Sequence, residues 1–442
     1  MTGGLKKVSL YLFAGASAFA ILASAAPAAK AQYVTRQEFE DYKKSQPEVK
    51  WKGAPEFKSE DGKFSFKVRG RIMVDYNGID QDEPITGDPD ISGVELRRAR
   101  LGVEGTIYYD WKYKFEYDFA GDGEIKDAYV AYANFFDGLE KSEIRLGNQY
   151  VYNSLEEITS SRFITFMERA AFIEAFFLDR QIGAAVVLGD KNWSFQSGYY
   201  GATVEDQGDF STDQTAFSVR GTIAPINTDT TVVHLGASYR HRDAGTLDGA
   251  ADLYRYRARP DLHLADRFVA TPNFADSDDM YVLEGAFVWN RFSVQGEYAN
   301  LTADTPVTIA NASPDYNGWY IEASVFLTDD MRNYEADEGA FGRQKVKNPV
   351  WGGSGGFGAW QVAARYDSLE LGSDATLFNA STRPNAVMCD ECGSQDLWTL
   401  GLNWWLTDHT ALKFNYVNAE IDGGNNNGAT IQGFGMRGQI DW

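Results

Sequence analysis

Cysteine is almost absent from this chain of 442 residues: Cys389 and Cys392, in "MCDECG", are the only two. A C-x-x-C pair can be a redox couple or half of a zinc site. Here no strand–helix context accompanies it, and no second pair of ligands is in sight. The context favours a local disulfide that staples an external loop. Long apolar runs are also missing beyond the first thirty residues, so no transmembrane helix is expected. No Pro/Ser-rich linker divides the chain, and no glycine-rich nucleotide motif occurs. The four histidines, His234, His241, His263 and His409, stand in neither a G-x-S-x-G nor an H-E-x-x-H setting. An enzyme is therefore not expected, and neither a cofactor, a metal nor a nucleic-acid partner is called for. Positive charge is scarce: 41 Lys and Arg face 63 Asp and Glu, for a formal charge of −22.

What is present begins with a leader. Lys6 and Lys7 precede "VSLYLFAGASAFAILASAA", and "AAKAQ" offers small residues at Ala29 and Ala31. Residues 1–31 read as a cleaved signal peptide, with an uncleaved N-terminal anchor as the alternative. Residues 32–62, polar and charged, read as a short periplasmic extension, with a helical turn or two or no fixed structure. Residues 63–442 read as one unit, in which short strand-like segments recur to the end.

Aromatics make up 14% of the chain, and mean hydropathy is negative. In "FSFKVRGRIMVDY" (64–76), Phe64, Phe66, Val68, Ile72, Val74 and Tyr76 share one parity. Ser65, Lys67, Arg69, Arg71 and Asp75 share the other, with Met73 the exception. Repeated through the chain, this is the pattern of a transmembrane β-barrel, apolar toward lipid and polar toward water. Strands are expected near 64–76, 93–108, 112–119, 125–136, 142–150, 181–189, 192–203, 214–224, 230–242, 279–289, 292–302, 316–327, 358–370, 395–406, 411–421 and 430–442, about sixteen in all. Short turns alternate with long polar connections at 77–92, 204–213, 242–278, 302–315, 371–394 and 422–429. One turn on the short side, 328–357, breaks that rule. The chain ends on an aromatic, Trp442, at the end of an alternating strand. In the loop "DGGNNNG" (422–428) an Asn/Gly turn is the plainer reading and a calcium site the other.

Basic residues favour the inner parity: Lys67, Arg69, Arg71, Arg98, Arg100, Lys112, Lys114, Arg145, Arg240 and Arg242. Any water-filled barrel would place charge there. Clustering adds more: "ELRRAR" holds Arg97, Arg98 and Arg100, "SYRHR" holds Arg240 and Arg242, and "YRYRARP" holds Arg255, Arg257 and Arg259 at every second position. Rows of arginine can replace the hydration shell of an anion, and the planar guanidinium suits phosphate. The apolar connection "YVYNSLEEITSSRFITFMERAAFIEAFFLD" is out of character for a solvated outer loop. It is expected to fold into the barrel and narrow it, with packing over a neighbouring subunit as the alternative.

The runs "FKVRGRIMVDY", "ELRRARLGVEGTIYYDWKYKFEYDFA", "IKDAYVAY", "IRLGNQY" and "ITFMERA" resemble the phosphate-selective porin O and P family of Gram-negative outer membranes. "YRARPDLHLADRFV", "LTDDMRNY" with "GAFGR", and "GAWQVAARYDSLEL" extend the likeness over nearly the whole chain from about Trp51. The resemblance implies a sixteen-stranded, trimeric, outer-membrane β-barrel with an inward-folded third loop. It also implies an arginine ladder leading to a central constriction with basic residues and an aspartate. Arg98, Arg100, Arg255, Arg257 and Arg259 match ladder positions, and Arg240 and Arg242 join the pathway by clustering. Lys114 and Asp118 are the constriction candidates, together with Lys126, whose parity opposes that of Asp127. "MCDECG" and "DGGNNNG" fall in variable loops. The expected partners are phosphate or other small anions, membrane lipid and lipopolysaccharide, and two further copies of the chain. A general diffusion porin of weak selectivity is the alternative within this class, and a structural or surface-interaction barrel the alternative outside it.

Overall fold

Along β1 (Ser65–Asp80), Arg71, Met73, Asp75 and Asn77 are buried, while Ile72, Val74 and Tyr76 are exposed. This is a soluble protein's pattern turned inside out. Charge on a lipid-facing row costs a few kcal/mol near the bilayer midplane, so the polar row must turn inward. The computed structural model describes residues 35–45, 48–51, 53–81, 90–204, 213–247, 250–306, 313–353, 355–372, 389 and 391–442. The leader, 1–31, and parts of the expected loops at 77–92, 204–213, 242–278, 302–315 and 371–394 lie outside the described residues.

The same alternation builds β2 (Ile91–Ile107), β3 (Trp111–Asp118), β4 (Glu124–Ala133), β5 (Lys141–Tyr150), β6 (Arg180–Asp190), β7 (Trp193–Tyr200) and β8 (Thr215–Asn227). It continues through β9 (Thr231–Asp243), β10 (Ser277–Trp289), β11 (Phe292–Asp304), β12 (Asp315–Phe326), β13 (Ala359–Glu370), β14 (Ser394–Thr407), β15 (Thr410–Asp422) and β16 (Thr430–Asp441). Each pairs antiparallel with the next, and β16 returns to β1 with Arg437 opposite Asp75, which closes the barrel at sixteen strands. Closure leaves no edge strand with unpaired backbone groups facing lipid.

Among the described residues the ladders shift register four times: between β8 and β9, between β14 and β15, and at two β-bulges in the charged wall. Between β1 and β2, Met73 faces Arg98 and Val74 faces Leu96, so Arg97 is the extra residue. Between β3 and β4, Glu116 faces Asp127 and Tyr117 faces Ile125, so Lys126 is the extra residue.

A separate N-terminal unit, ending at Glu48, contains α1 (Arg36–Ser45). A reciprocal capping box opens it: the Glu38 N–H donates to Thr35 Oγ1 at 3.2 Å, and the Thr35 N–H donates to the Glu38 carboxylate at 2.7 Å. Part of the expected extension joins the barrel instead. Pro55–Lys58 pairs with the start of β1, Glu56 opposite Lys67.

Three connections are tied to buried-row side chains of distant strands. Within 151–179, which carries α2 (Leu155–Ile158) and α3 (Ala171–Phe176), the Ile164 carbonyl accepts from Lys413. The Thr165 carbonyl accepts from Asn403 at 2.8 Å, and the Ala171 N–H donates to Asp367 at 2.8 Å. Glycines make room for it. A Cβ at Gly318 would lie 2.2 Å from Phe172 Cβ, and one at Gly435 would lie 3.0 Å from Met167 Sδ. The connection between β9 and β10 buries Tyr256, Leu262 and Phe268 in one apolar cluster with Phe172 and Phe176. It is fastened by Asp261 to Thr399 at 3.1 Å and by the Ala270 N–H to the Glu391 carbonyl at 2.9 Å. Asn426 of "DGGNNNG" adds a bond to the Phe268 carbonyl at 2.9 Å. Cys389 and Cys392 are joined as a disulfide, and Cys389 Sγ lies 3.5 Å from the Ala270 carbonyl.

The connection that breaks the short-turn rule, between β12 and β13, holds a small hairpin pairing Tyr334 with Phe341. Its Tyr334 hydroxyl is 2.6 Å from His234 Nδ1, and its Gly339 carbonyl accepts from Arg220 at 2.7 Å.

Candidate permeation site

The charged wall follows from the inner rows of β1–β6. Arg100 donates through Nε to Asp118 at 2.7 Å and through Nη1 to Glu116 at 3.2 Å; Arg71 reaches the same Glu116 at 3.1 Å. Lys114 Nζ stands 2.7 Å from Asp127, whose other oxygen accepts from Arg180 Nε at 2.9 Å. Lys126 Nζ stands 2.7 Å from Asp179. The bulge explains how Lys126 and Asp127, adjacent in sequence, are both buried: the extra residue shifts the parity there by one.

These residues frame two cavities. One, about 310 Å³, lies toward the long-loop end and is lined by Arg97, Arg98, Arg100, Lys126, Arg169, Arg180 and Arg259, with Glu157, Glu168, Glu174, Asp179 and Asp261. The other, about 530 Å³, lies toward the short-turn end. Lys67, Arg69, Arg71, Lys112, Lys114, Lys141, Arg145, Arg162 and Arg180 line it, with seven carboxylates. Among the described residues, both carry more cations than acids. Tyr150 and Arg180 line both cavities. Arg180 is stacked 4.0 Å from the centroid of the Tyr150 ring and is held by Asp127 and Asp179.

Carboxylates of the 151–179 connection respond to their surroundings. Burial opposes the charge of Glu168, but Arg97, Arg437 and Arg98 outweigh it and hold the carboxyl well below its ordinary range. Burial likewise opposes the charge of Asp179, and Arg180 and Lys126 outweigh it downward. At Glu157 burial prevails over Arg169, and the carboxyl is pushed up to about 7. Among the described residues Arg98 has no close carboxylate: it meets Met73 Sδ at 3.7 Å and Glu168 at 3.9 Å.

Of the residues singled out from sequence, Arg98, Arg100, Lys126 and Arg259 line the long-loop cavity, and Lys114 lines the other. Asp118 stands behind Arg100 as its acceptor. Arg240 and Arg242 line neither cavity. They clamp Asp278 at 2.7 and 2.6 Å, with the Tyr256 hydroxyl on the same carboxylate at 2.7 Å. Arg255 and Arg257 line neither cavity, although Arg259 of the same row does; the opposite side of the row, Tyr256 and Ala258, is buried in the apolar cluster. Sequence reasoning missed Arg169 and Arg180. Arg169 lay in the quoted "ITFMERA", and Arg180 opens an inner row one residue before the expected strand.

A closed sixteen-strand barrel, apolar outside and charged within, defines the class: an integral outer-membrane porin of Gram-negative bacteria. The particular family follows from comparison, since the model of phosphate-selective porin O and P matches residues 66–442, and the chain belongs to that family. It is 29% identical to porin O of Pseudomonas aeruginosa, over 88% of this chain and 90% of that one. It is 30% identical to an uncharacterised protein of Caulobacter vibrioides, over 84% of this chain and 71% of the relative. Among solved structures, the outer-membrane channel DcaP of Acinetobacter baumannii superposes with a TM-score of 0.52 at 12% identity, covering 87% of this chain and 99% of that one. An anion-selective porin from Comamonas acidovorans superposes at 0.50 with 15% identity, covering 86% of this chain and 100% of that one.

Proposed function

We propose that this porin passes small anions, phosphate or related oxyanions among them, down their gradients. The observation that carries this reading is the cation surplus of two cavities that meet at Arg180, inside a chain of formal charge −22. The few charges that face an ion set its local field, while acids at rims and loops act through water and salt. The 151–179 connection is proposed to fold into the lumen and narrow it, which its bonds to Lys413, Asn403 and Asp367 support. Arg180, Lys114 and Lys126 then form the constriction, with Asp118 orienting Arg100. No bond is made or broken in passage, so no cofactor is required. Residues 1–31 are proposed as the cleaved leader and the barrel as a homotrimer in lipid and lipopolysaccharide, as the family resemblance implies. The extensive ion pairing of the lining cations favours a second reading, a general diffusion porin with weak selectivity. Planar-bilayer recording under a salt gradient, with phosphate titrated against chloride, separates the two. Anion-selective reversal potentials and phosphate block of chloride current are expected, from protein that runs as a trimer on an unheated gel. Cation-selective currents would overturn the anion reading.

A further inference from the structure

Glu174 sits at the long-loop cavity in an unusual position for a pore carboxylate. Its Oε1 accepts from Arg259 Nη1 at 2.6 Å and from Arg267 Nη2 at 2.7 Å, and its Oε2 accepts from the Arg259 backbone N–H at 3.0 Å. Two guanidinium groups and one amide thus converge on a single O–C–O fork. This is the donor set that recognises a free oxyanion. The set is fixed from the loop side. Arg259 Nε donates to the Ala265 carbonyl at 3.1 Å, and the Arg259 carbonyl accepts from Gln395 at 3.2 Å. The carboxylate comes from α3, whose first N–H is pinned by Asp367 at 2.8 Å and whose Phe172 and Phe176 are buried. Only the Glu174 side chain would have to turn away to vacate the cradle. It is a third exposed, with Arg259 and Arg267 about a quarter exposed. Ion pairs this open to water contribute little, so exchange is not costly.

We infer that the Arg259–Arg267 cradle is an oxyanion site at the pore mouth, and that Glu174 is its tethered, displaceable occupant. This rests on the anion reading above. An arriving oxyanion swaps with the carboxylate, leaving no donor unpaired. A tethered competitor acts at high effective concentration, so it weakens net binding and speeds release. A conducting site needs that, since an ion held too tightly does not pass on.

The experiment is inorganic phosphate block of chloride current through purified trimers in bilayers, comparing wild type with Glu174→Gln and Glu174→Asp. The glutamine removes the competing charge. The aspartate keeps the charge but withdraws it by one methylene from the cradle. Both are expected to lower the half-blocking phosphate concentration by roughly five- to tenfold and to lengthen block events, and Arg267→Ala added to either should reverse the gain. Glu174→Asp covers the case in which Glu174→Gln fails to assemble. If wild type is anion-selective yet a folded variant blocks within twofold of it, the inference is overturned while the anion reading stands. If wild type is cation-selective, the anion reading itself falls.

Discussion

At Lys126 strict alternation would send either the lysine or Asp127 into lipid. The bulge removes that choice and delivers two adjacent charges to the interior. The same device at Arg97 brings Arg97, Arg98 and Arg100 to one cavity. Parity puts Lys67, Arg69, Arg71, Lys112, Lys114 and Arg145 on one row, and all six line a cavity; it fails at Lys126, where the ladder gains a residue that nothing in the local composition announces. Glu157 carries the prediction at this scale. Its carboxyl, raised by burial to about 7, lines the long-loop cavity. Below that pH it is neutral and the cavity gains positive charge; above it the charge is lost to a carboxylate. Anion-over-cation permeability should therefore fall by a fewfold between about pH 6 and pH 8. Glu157→Gln should flatten the profile at its low-pH value. A wild-type profile already flat across that window would count against a titrating Glu157.

Elements divide into those that sequence specifies and those it does not. All sixteen strands lie within a few residues of their expected bounds, because each must satisfy lipid on one side and water on the other. Connections answer to no such rule. The row Arg255, Arg257, Arg259 has strand period, but period does not say which side is buried. The apolar partners Phe172 and Phe176, distant in sequence, decide it. The β9–β10 connection is fastened at Ala270 and Phe268 by two neighbouring loops, one of them carrying the Cys389–Cys392 ring. So short a ring restrains its own loop by on the order of 2 kcal/mol. Changing both cysteines to serine is expected to speed amide exchange at residues 268–271 by roughly tenfold and to leave the barrel strands unchanged. Equal protection at 268–271 in the variant would show that Asn426 and the apolar contacts suffice.

At the scale of the molecule, closure and charge meet at one seam. Asp75 of β1 and Arg437 of β16 are register partners at the junction where the last strand meets the first. Arg437 donates from Nε and Nη2 to both oxygens of Asp75 at 2.7 and 2.6 Å, and to Glu168 at 2.6 Å. The guanidinium is fully buried. A buried pair adds little beyond a well-packed apolar pair, because both ions must be desolvated. Removing one partner is different, since it strands the other charge at a cost of about 3–5 kcal/mol. Arg437→Ala would strand Asp75 at the closing seam, leave Glu168 to Arg97 and Arg98, and release the Met167 carbonyl of the 151–179 connection. The heat-induced shift of the barrel on a denaturing gel should therefore move to clearly lower temperature. Arg437→Met with Asp75→Leu, which removes both charges of the strand pair, should recover part of that loss. If Arg437→Ala melted with wild type, the seam would be held by backbone pairing alone, and the arginine would be a lining charge like those of the cavities.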